Sequence, residues 1–366
     1  MSQDPGLASW LQLALTPGLG SATFRSLLQQ FGLPQAILAR RRAELAALAA
    51  PAVLAALDSE QVSQAVSRAR AWAEQPGHFV VTLADDNYPR ALLEIPDPPP
   101  LLYARGRLEL LARAAIAVVG SRNATLQGEA NAQTMAKALS EAGLTIVSGL
   151  ALGIDAAAHR GGLGGPGSTI AVLGTGIDIV YPQRNAALAA QIAERGLLLS
   201  EFPLGTAPAG PNFPRRNRLI SGLARGCLVV EAALASGSLI TARSAADQGR
   251  EVFAMPGSVH SPLAKGCHAL IKSGAKLVES ADDVLAELAG FRATGYASTT
   301  KEAPAAPESG LLAHMGHDPV DVDALCSRAG LSADQVSSEL LRLELAGRVA
   351  ALPGGLYQRL EKAERR

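Results

Sequence analysis

The feature that most constrains this chain is a series of short apolar runs that begins at residue 115. They occupy 115–119, 144–148, 168–173, 197–200, 227–231, 251–254 and 275–278, with helix-forming stretches between them. Runs such as Ile116-Ala117-Val118-Val119 do not alternate with polar residues, so they read as strands buried on both faces. Strands spaced by helices pair in parallel, and the expected core is an α/β, doubly wound parallel sheet. In that architecture ligand sites form beyond the carboxyl ends of the strands.

The segments that follow the runs are therefore the candidate site. They include Gly120-Ser121-Arg122-Asn123, Gly149-Leu150-Ala151, Gly174-Thr175-Gly176, Ser236-Gly237-Ser238 and Met255-Pro256-Gly257. Exposed amides at helix starts, hydroxyls and a guanidinium together favour anions, phosphates above all. The stretch Phe213-Pro214-Arg215-Arg216-Asn217-Arg218, three arginines in four positions behind a proline and an aromatic, sets rigid backbone, positive charge and one stacking surface side by side. Acidic and basic residues balance over the whole chain at 33 each, so no global excess announces a nucleic-acid partner. Between residues 211 and 250, however, six arginines stand against Glu231 and Asp247, a local net of +4. Any nucleic-acid site is thus local.

Several alternatives are weaker. Val119-Gly120-Ser121-Arg122 is not GxGxxG, and no acidic residue ends the next strand in the ribose-binding position, which argues against a dinucleotide. Asp155 and His159 share a helix face but lack a third ligand, so helix capping and a hydrogen-bonded structural histidine are expected rather than metal binding or catalysis. Ser236-Gly237-Ser238 is not GxSxG and reads as a phosphate-gripping turn. Lys265 is either a further cation of the site or merely solvated. Three scattered cysteines support neither a disulfide framework nor a zinc site. With no charged leader and no apolar run near the roughly 20 residues of a bilayer span, the reading is a cytoplasmic protein.

Four regions follow from the pattern: a helical domain over 1–78, the sheet domain over 79–290, a flexible linker over 291–309 rich in Ala, Thr, Pro and Glu, and a last domain over 310–366. In the first, Thr16-Pro17-Gly18-Leu19-Gly20 is either a helix-hairpin-helix turn facing a phosphate or a plain helical corner, and backbone reasons favour the corner. Trp10 and Trp72 are assigned to the core. Ile95-Pro96-Asp97-Pro98-Pro99-Pro100 is a stiff extended connector, either bare or packed. The last domain reads as a helix over 320–329, a helix over 333–346 and two strands around Pro353-Gly354-Gly355, a winged helix.

Taken together these motifs resemble the DNA-processing protein A (DprA, or Smf) family of bacterial competence factors. The resemblance spans about residues 86 to 277 and adds Tyr181-Pro182 and Ser148 through His159 to the segments above, all in order. It implies an extended Rossmann core flanked by an N-terminal helical (helix-hairpin-helix or SAM-like) domain and a winged helix, a homodimer, no cofactor and no enzymatic activity. It further implies binding and protection of incoming single-stranded DNA during natural transformation, sequence-independently, with loading of RecA recombinase against single-strand-binding protein. Ser121 and Arg122 would hold phosphates, Arg215, Arg216 and Arg218 would add a basic track, and Phe213 would stack on a base. Gly149, Gly174, Arg184, Asn217, Ser236, Ser238, Thr241 and Lys265 complete the candidate DNA site, and His268 and Leu277 are candidates for the dimer surface.

One departure concerns the winged helix. Residues 310–366 carry seven basic and eight acidic residues, and the expected recognition helix sets Asp334, Glu339 and Glu344 against Arg342. That charge opposes a phosphate backbone, so a protein-contact or regulatory role is expected there. The rival function is a nucleotide phosphoribohydrolase, which uses a PGGxGTxxE loop. The comparable stretch from Glu231 to Ala242 has no PGG and no glutamate closing the loop, so support for an oxocarbenium ion is missing.

Overall fold

The computed structural model describes residues 5–288, 310–316 and 318–360; the linker expected over 291–309 lies outside them. A nine-stranded sheet forms the centre, built from β1 (His78–Thr82), β2 (Leu101–Gly106), β3 (Ala115–Val119), β4 (Thr145–Ser148), β5 (Thr169–Val172), β6 (Leu197–Ser200), β7 (Gly226–Val229), β8 (Glu251–Ala254) and β9 (Lys276–Leu277). Their spatial order is β1-β2-β6-β5-β4-β3-β7-β8-β9. From β6 to β9 every pairing is parallel, whereas β1 and β2 join as an antiparallel pair on the β6 edge. The chain runs outward from β3 to β6, then crosses back to lay β7 on the other side of β3. That reversal opens a crevice at the carboxyl ends of β3 and β7.

Burial on both faces explains the unbroken apolar runs. Along β3, Ala115, Ala117 and Val119 face a cluster with Leu219, Ile220 and Leu239, while Ile116 and Val118 face one with Ala132, Leu139 and Ile154. Period-two geometry sends successive side chains to opposite layers, so both faces are apolar, and the polar residues within the strands, such as Thr145, Ser148 and Thr169, are small and bond backbone carbonyls.

The N-terminal helices share a core with the sheet. Trp10, Leu11, Phe24 and Leu27 lie in one cluster with Leu101, Tyr103 and Leu198. Trp72 is half-buried and stacks on His78, with ring centroids 4.3 Å apart. The proline-rich connector is packed rather than bare: the Tyr88 hydroxyl donates to Pro99 O at 2.8 Å, the Leu83 amide to Pro100 O at 3.2 Å, and Arg25 Nη1 to Pro98 O at 3.0 Å.

The C-terminal unit has a three-stranded sheet, β10 (Val320–Asp321), β12 (Leu356–Arg359) and β11 (Val349–Leu352) in that order, and helices Val322–Ala329 and Ala333–Leu345. The first helix begins two residues later than the pattern predicts. Val320 is buried and pairs with Tyr357, and the Asp321 carboxylate accepts from the Ala324 amide at 2.6 Å as the cap.

Candidate nucleic-acid interface

The helix Asn212–Leu223, the arginine helix, packs its apolar face on β3, β4 and β5 and brings its first turn to the crevice. An open pocket of about 700 Å³ lies there. Its walls come from the loop after β3 (Gly120 to Asn123), the first turn of the arginine helix, and the Ala233–Thr241 stretch after β7. Of the residues expected to bind DNA, Ser121, Arg122, Phe213, Arg216, Asn217, Ser236, Ser238 and Thr241 converge on it.

Backbone bonds fix the β3 loop: the Ser121 amide donates to Glu231 O at 2.7 Å, and the Ile154 amide donates to Ser121 O at 3.1 Å. The side chain of Arg122 is thereby left exposed, with its guanidinium carbon 5.6 Å from the Phe213 ring centroid. Tyr181 adds a second ring 5.7 Å from Phe213. Ser236 and Ser238 hydroxyls bond each other at 2.7 Å where the Ser238–Asp247 helix starts. The pocket therefore joins one aromatic face, one exposed cation, hydroxyls and a helix N-terminus, a set that suits phosphates and bases together.

Arg216, read from the sequence as part of a basic track, lies inside the protein at 4 % exposure. Its Nη1 donates to Gly149 O at 2.7 Å and to Val172 O, tying the ends of β4 and β5 together. Burial lowers its pKa to about 10, opposed by Asp155, so it stays charged. Asp155 does not cap its own helix in the expected way; its Oδ2 accepts from the Gly149 and Ala151 amides at 3.0 and 3.4 Å. Burial raises its pKa and Arg216 counters that. His159 is structural: Nδ1 bonds Thr169 Oγ1 at 2.7 Å while Nε2 accepts from the Leu150 amide at 3.2 Å. Thr169 Oγ1 itself donates to Ile146 O, so Nδ1 carries the proton and the ring is neutral. Burial and Arg216 lower its pKa to about 3.

The remaining expected residues stand one layer back or elsewhere. Gly149 and Gly174 are there to admit other side chains: a Cβ would fall 2.6 Å from the Arg216 guanidinium at the first and 2.7 Å from the Phe213 ring at the second. Arg218 is mostly buried and bonds Glu201 Oε2 at 2.5 Å. Arg215 is exposed, sits 5.4 Å over the Phe202 ring and reaches the same Glu201 oxygen at 3.2 Å. Arg184 is exposed outside the pocket, and Lys265 Nζ donates to Val259 O rather than facing the crevice. Asn123, in the segment read from the sequence after β3, lines the pocket as well, whereas Glu201, read at the end of β6 but given no role, serves as the counter-charge of Arg215 and Arg218. The position of Glu201, first after β6, was the available signal.

Among the described residues no group of three or more His, Cys, Asp and Glu is placed to hold a metal ion, and no helix is long and apolar enough to cross a membrane.

The model of the DNA recombination-mediator protein A family matches residues 79–289, and that of the DprA winged helix domain matches 297–355. The chain belongs to the DNA recombination-mediator protein A family. Protein Smf of Escherichia coli is 46 % identical over 300 residues, covering 80 % of each chain, and DNA processing protein DprA of Streptococcus pneumoniae is 50 % identical over 206 residues, 56 % of this chain and 73 % of that one. The X-ray structure of DNA processing protein A from Streptococcus pneumoniae superposes with a TM-score of 0.67 at 39 % identity, covering 78 % of this chain and 99 % of that one. A structure of DNA processing protein A from Helicobacter pylori, described for its single-stranded DNA binding mode, gives 0.53 at 31 % identity, covering 57 % and 95 %. The expected family, sheet and winged helix are thus present.

Proposed function

We propose that this protein binds single-stranded DNA at the sheet-edge pocket, protects it during natural transformation, and mediates loading of a RecA-type recombinase in competition with single-strand-binding protein, without catalysis. The observation that carries this reading is the exposed Arg122 guanidinium over the half-buried Phe213 ring, where a base stacks and its phosphate is neutralised in one place. Such a grip is sequence-tolerant, because every base has a π-face. The name of the Helicobacter pylori structure speaks for the same polymer.

A non-catalytic role is supported by the carboxylates. Asp155 is spent on two backbone amides, and the Glu231 carboxylate accepts from the Thr125 amide at 2.9 Å and hydroxyl at 2.6 Å on the far side of the loop. Neither is free to assist glycosidic cleavage. A cytoplasmic homodimer completes the proposal, with Leu277, 51 % exposed on the edge strand β9, and the half-buried His268 at the contact.

The test is fluorescence anisotropy with labelled single-stranded and duplex oligonucleotides across a salt series. Salt-sensitive single-strand binding that weakens in Arg122→Ala and Arg215→Ala is expected. Unchanged binding in both variants moves the site elsewhere, and release of free base from a nucleoside monophosphate reinstates the enzyme.

A further inference from the structure

The motif Tyr181-Pro182 lies outside the residues that line the pocket, and the function proposed above makes no use of it. Tyr181 is 46 % exposed, and it is the only exposed aromatic residue among the described residues. Its ring centroid lies 5.7 Å from that of Phe213, with the planes tilted by 36°. A single exposed ring on a surface needs no explanation, but a ring held rigidly beside the candidate DNA site does.

The loop that carries it, residues 174–185, is fixed at both ends. Thr175 Oγ1 donates to Ile179 O at 2.6 Å, and the Gly176 amide donates to Thr206 O at 2.9 Å. Asn185 is buried, and its Nδ2 donates to Leu150 O at 2.9 Å and to Ala151 O at 3.0 Å, just past the end of β4. Those bonds tie the loop to the same strand end whose Ala151 lines the pocket. Asp178, the one carboxylate of the loop, accepts from the Gly205 amide at 3.0 Å. Arg184 follows Tyr181 in the single turn Gln183–Asn185; it is exposed and, among the described residues, has no carboxylate in contact. The loop thus presents a preorganised ring followed by an open cation, the two groups that hold a nucleotide.

The two rings cannot share a base. One inserted between them would need a gap of about 7 Å, twice the contact distance of about 3.5 Å. The centroids are only 5.7 Å apart, so each ring serves a different base, and the 36° tilt splays those two bases. Bases splayed onto side chains have left the stacked, paired duplex. We propose that Tyr181 stacks on the base next to the one at Phe213, that Arg184 neutralises the phosphate beyond it, and that this second ring favours single strands over duplex. The inference rests on the single-strand reading above and gives Tyr181 a place in it.

Anisotropy of the full chain with single-stranded and duplex oligonucleotides tests it, together with a single-strand series carrying one abasic position moved along the strand. Tyr181→Ala and Tyr181→Leu should each weaken single-strand binding about tenfold, the effect of one base–aromatic stack, and erase one abasic-sensitive position. Tyr181→Phe keeps the ring and should bind as the native chain does. Duplex affinity should be the same in all four chains, so the preference for single strands falls about tenfold in the Ala and Leu variants. Arg184→Ala should make the single-strand salt slope shallower by about one phosphate. Native single-strand affinity with an intact abasic profile in Tyr181→Ala overturns the inference, and so does an unchanged slope in Arg184→Ala. Equal loss of single-strand and duplex binding in Tyr181→Ala, or a lower denaturation midpoint, makes the residue a structural one and overturns it too. Phe213→Ala separates the two readings: if it weakens single-strand binding while Tyr181→Ala does not, the pocket stands and the second ring falls. A native chain that binds no single strand overturns both.

Discussion

The sheet-edge pocket and the second helix of the winged-helix unit both belong to architectures that meet DNA, but they dispose of charge in opposite ways. In the pocket, Arg216 is sunk among carbonyls and buttressed by Asp155, while Arg122 is exposed and, among the described residues, has no carboxylate in contact. On the helix Ala333–Leu345, Arg342 lies in solvent and closes on Glu339 through bonds of 2.8 and 2.5 Å, with Leu341 and Leu345 exposed nearby. The first arrangement builds a fixed positive site, whereas the second cancels its only arginine and shows leucines. A fold associated with nucleic acid therefore does not carry the chemistry; the residues on its face do.

The sharpest break in that comparison is a stability difference. Arg216→Leu should destabilise the chain by roughly 3–5 kcal/mol, since Asp155 is left buried without its counter-charge. Arg342→Ala should leave the denaturation midpoint unchanged within error, because the pair it breaks is exposed. Chemical denaturation of both variants checks this, and equal losses would erase the contrast.

Binding sharpens it next. Phe213→Ala should weaken single-strand affinity by about 1–3 kcal/mol through lost stacking, with the salt slope retained, whereas Arg122→Ala should make the slope shallower by about one phosphate. On the other region, the triple variant Asp334→Lys, Glu339→Lys, Glu344→Lys should gain salt-sensitive duplex binding that the native helix lacks, read in the same titration. Tight duplex binding by the native chain that Arg342→Ala abolishes would overturn the protein-contact or regulatory role expected for that helix.

The contrast extends to pH dependence. His159 is held neutral in the fold with a pKa near 3 against an ordinary 6.5, so the unfolded chain binds a proton more readily over that window. Stability should be complete above about pH 6.5 and decline as pH falls towards 3. His159→Gln should flatten that part of the stability curve in a pH series of denaturation midpoints, while Arg342→Ala should not.

The sheet and the place of the candidate site are legible in the chain before it folds. Unbroken apolar residues at 115–119 and 227–230 demanded strands covered on both faces, and the glycines and hydroxyls that follow the runs, with arginine after the first, marked the carboxyl edge. These are local properties, carried by neighbours in the chain. What the tertiary structure decided was which arginine faces solvent. Arg215 and Arg216 are adjacent and chemically identical, but the helix turn between them puts Arg215 at the rim at half exposure and Arg216 under β4 and β5. It also decided that Gly149 and Gly174 make room for a guanidinium and a ring, and that Tyr181 stands beside Phe213. Burial, counter-charge and cavity shape depend on residues brought together across the sequence, and no local pattern encodes those distances.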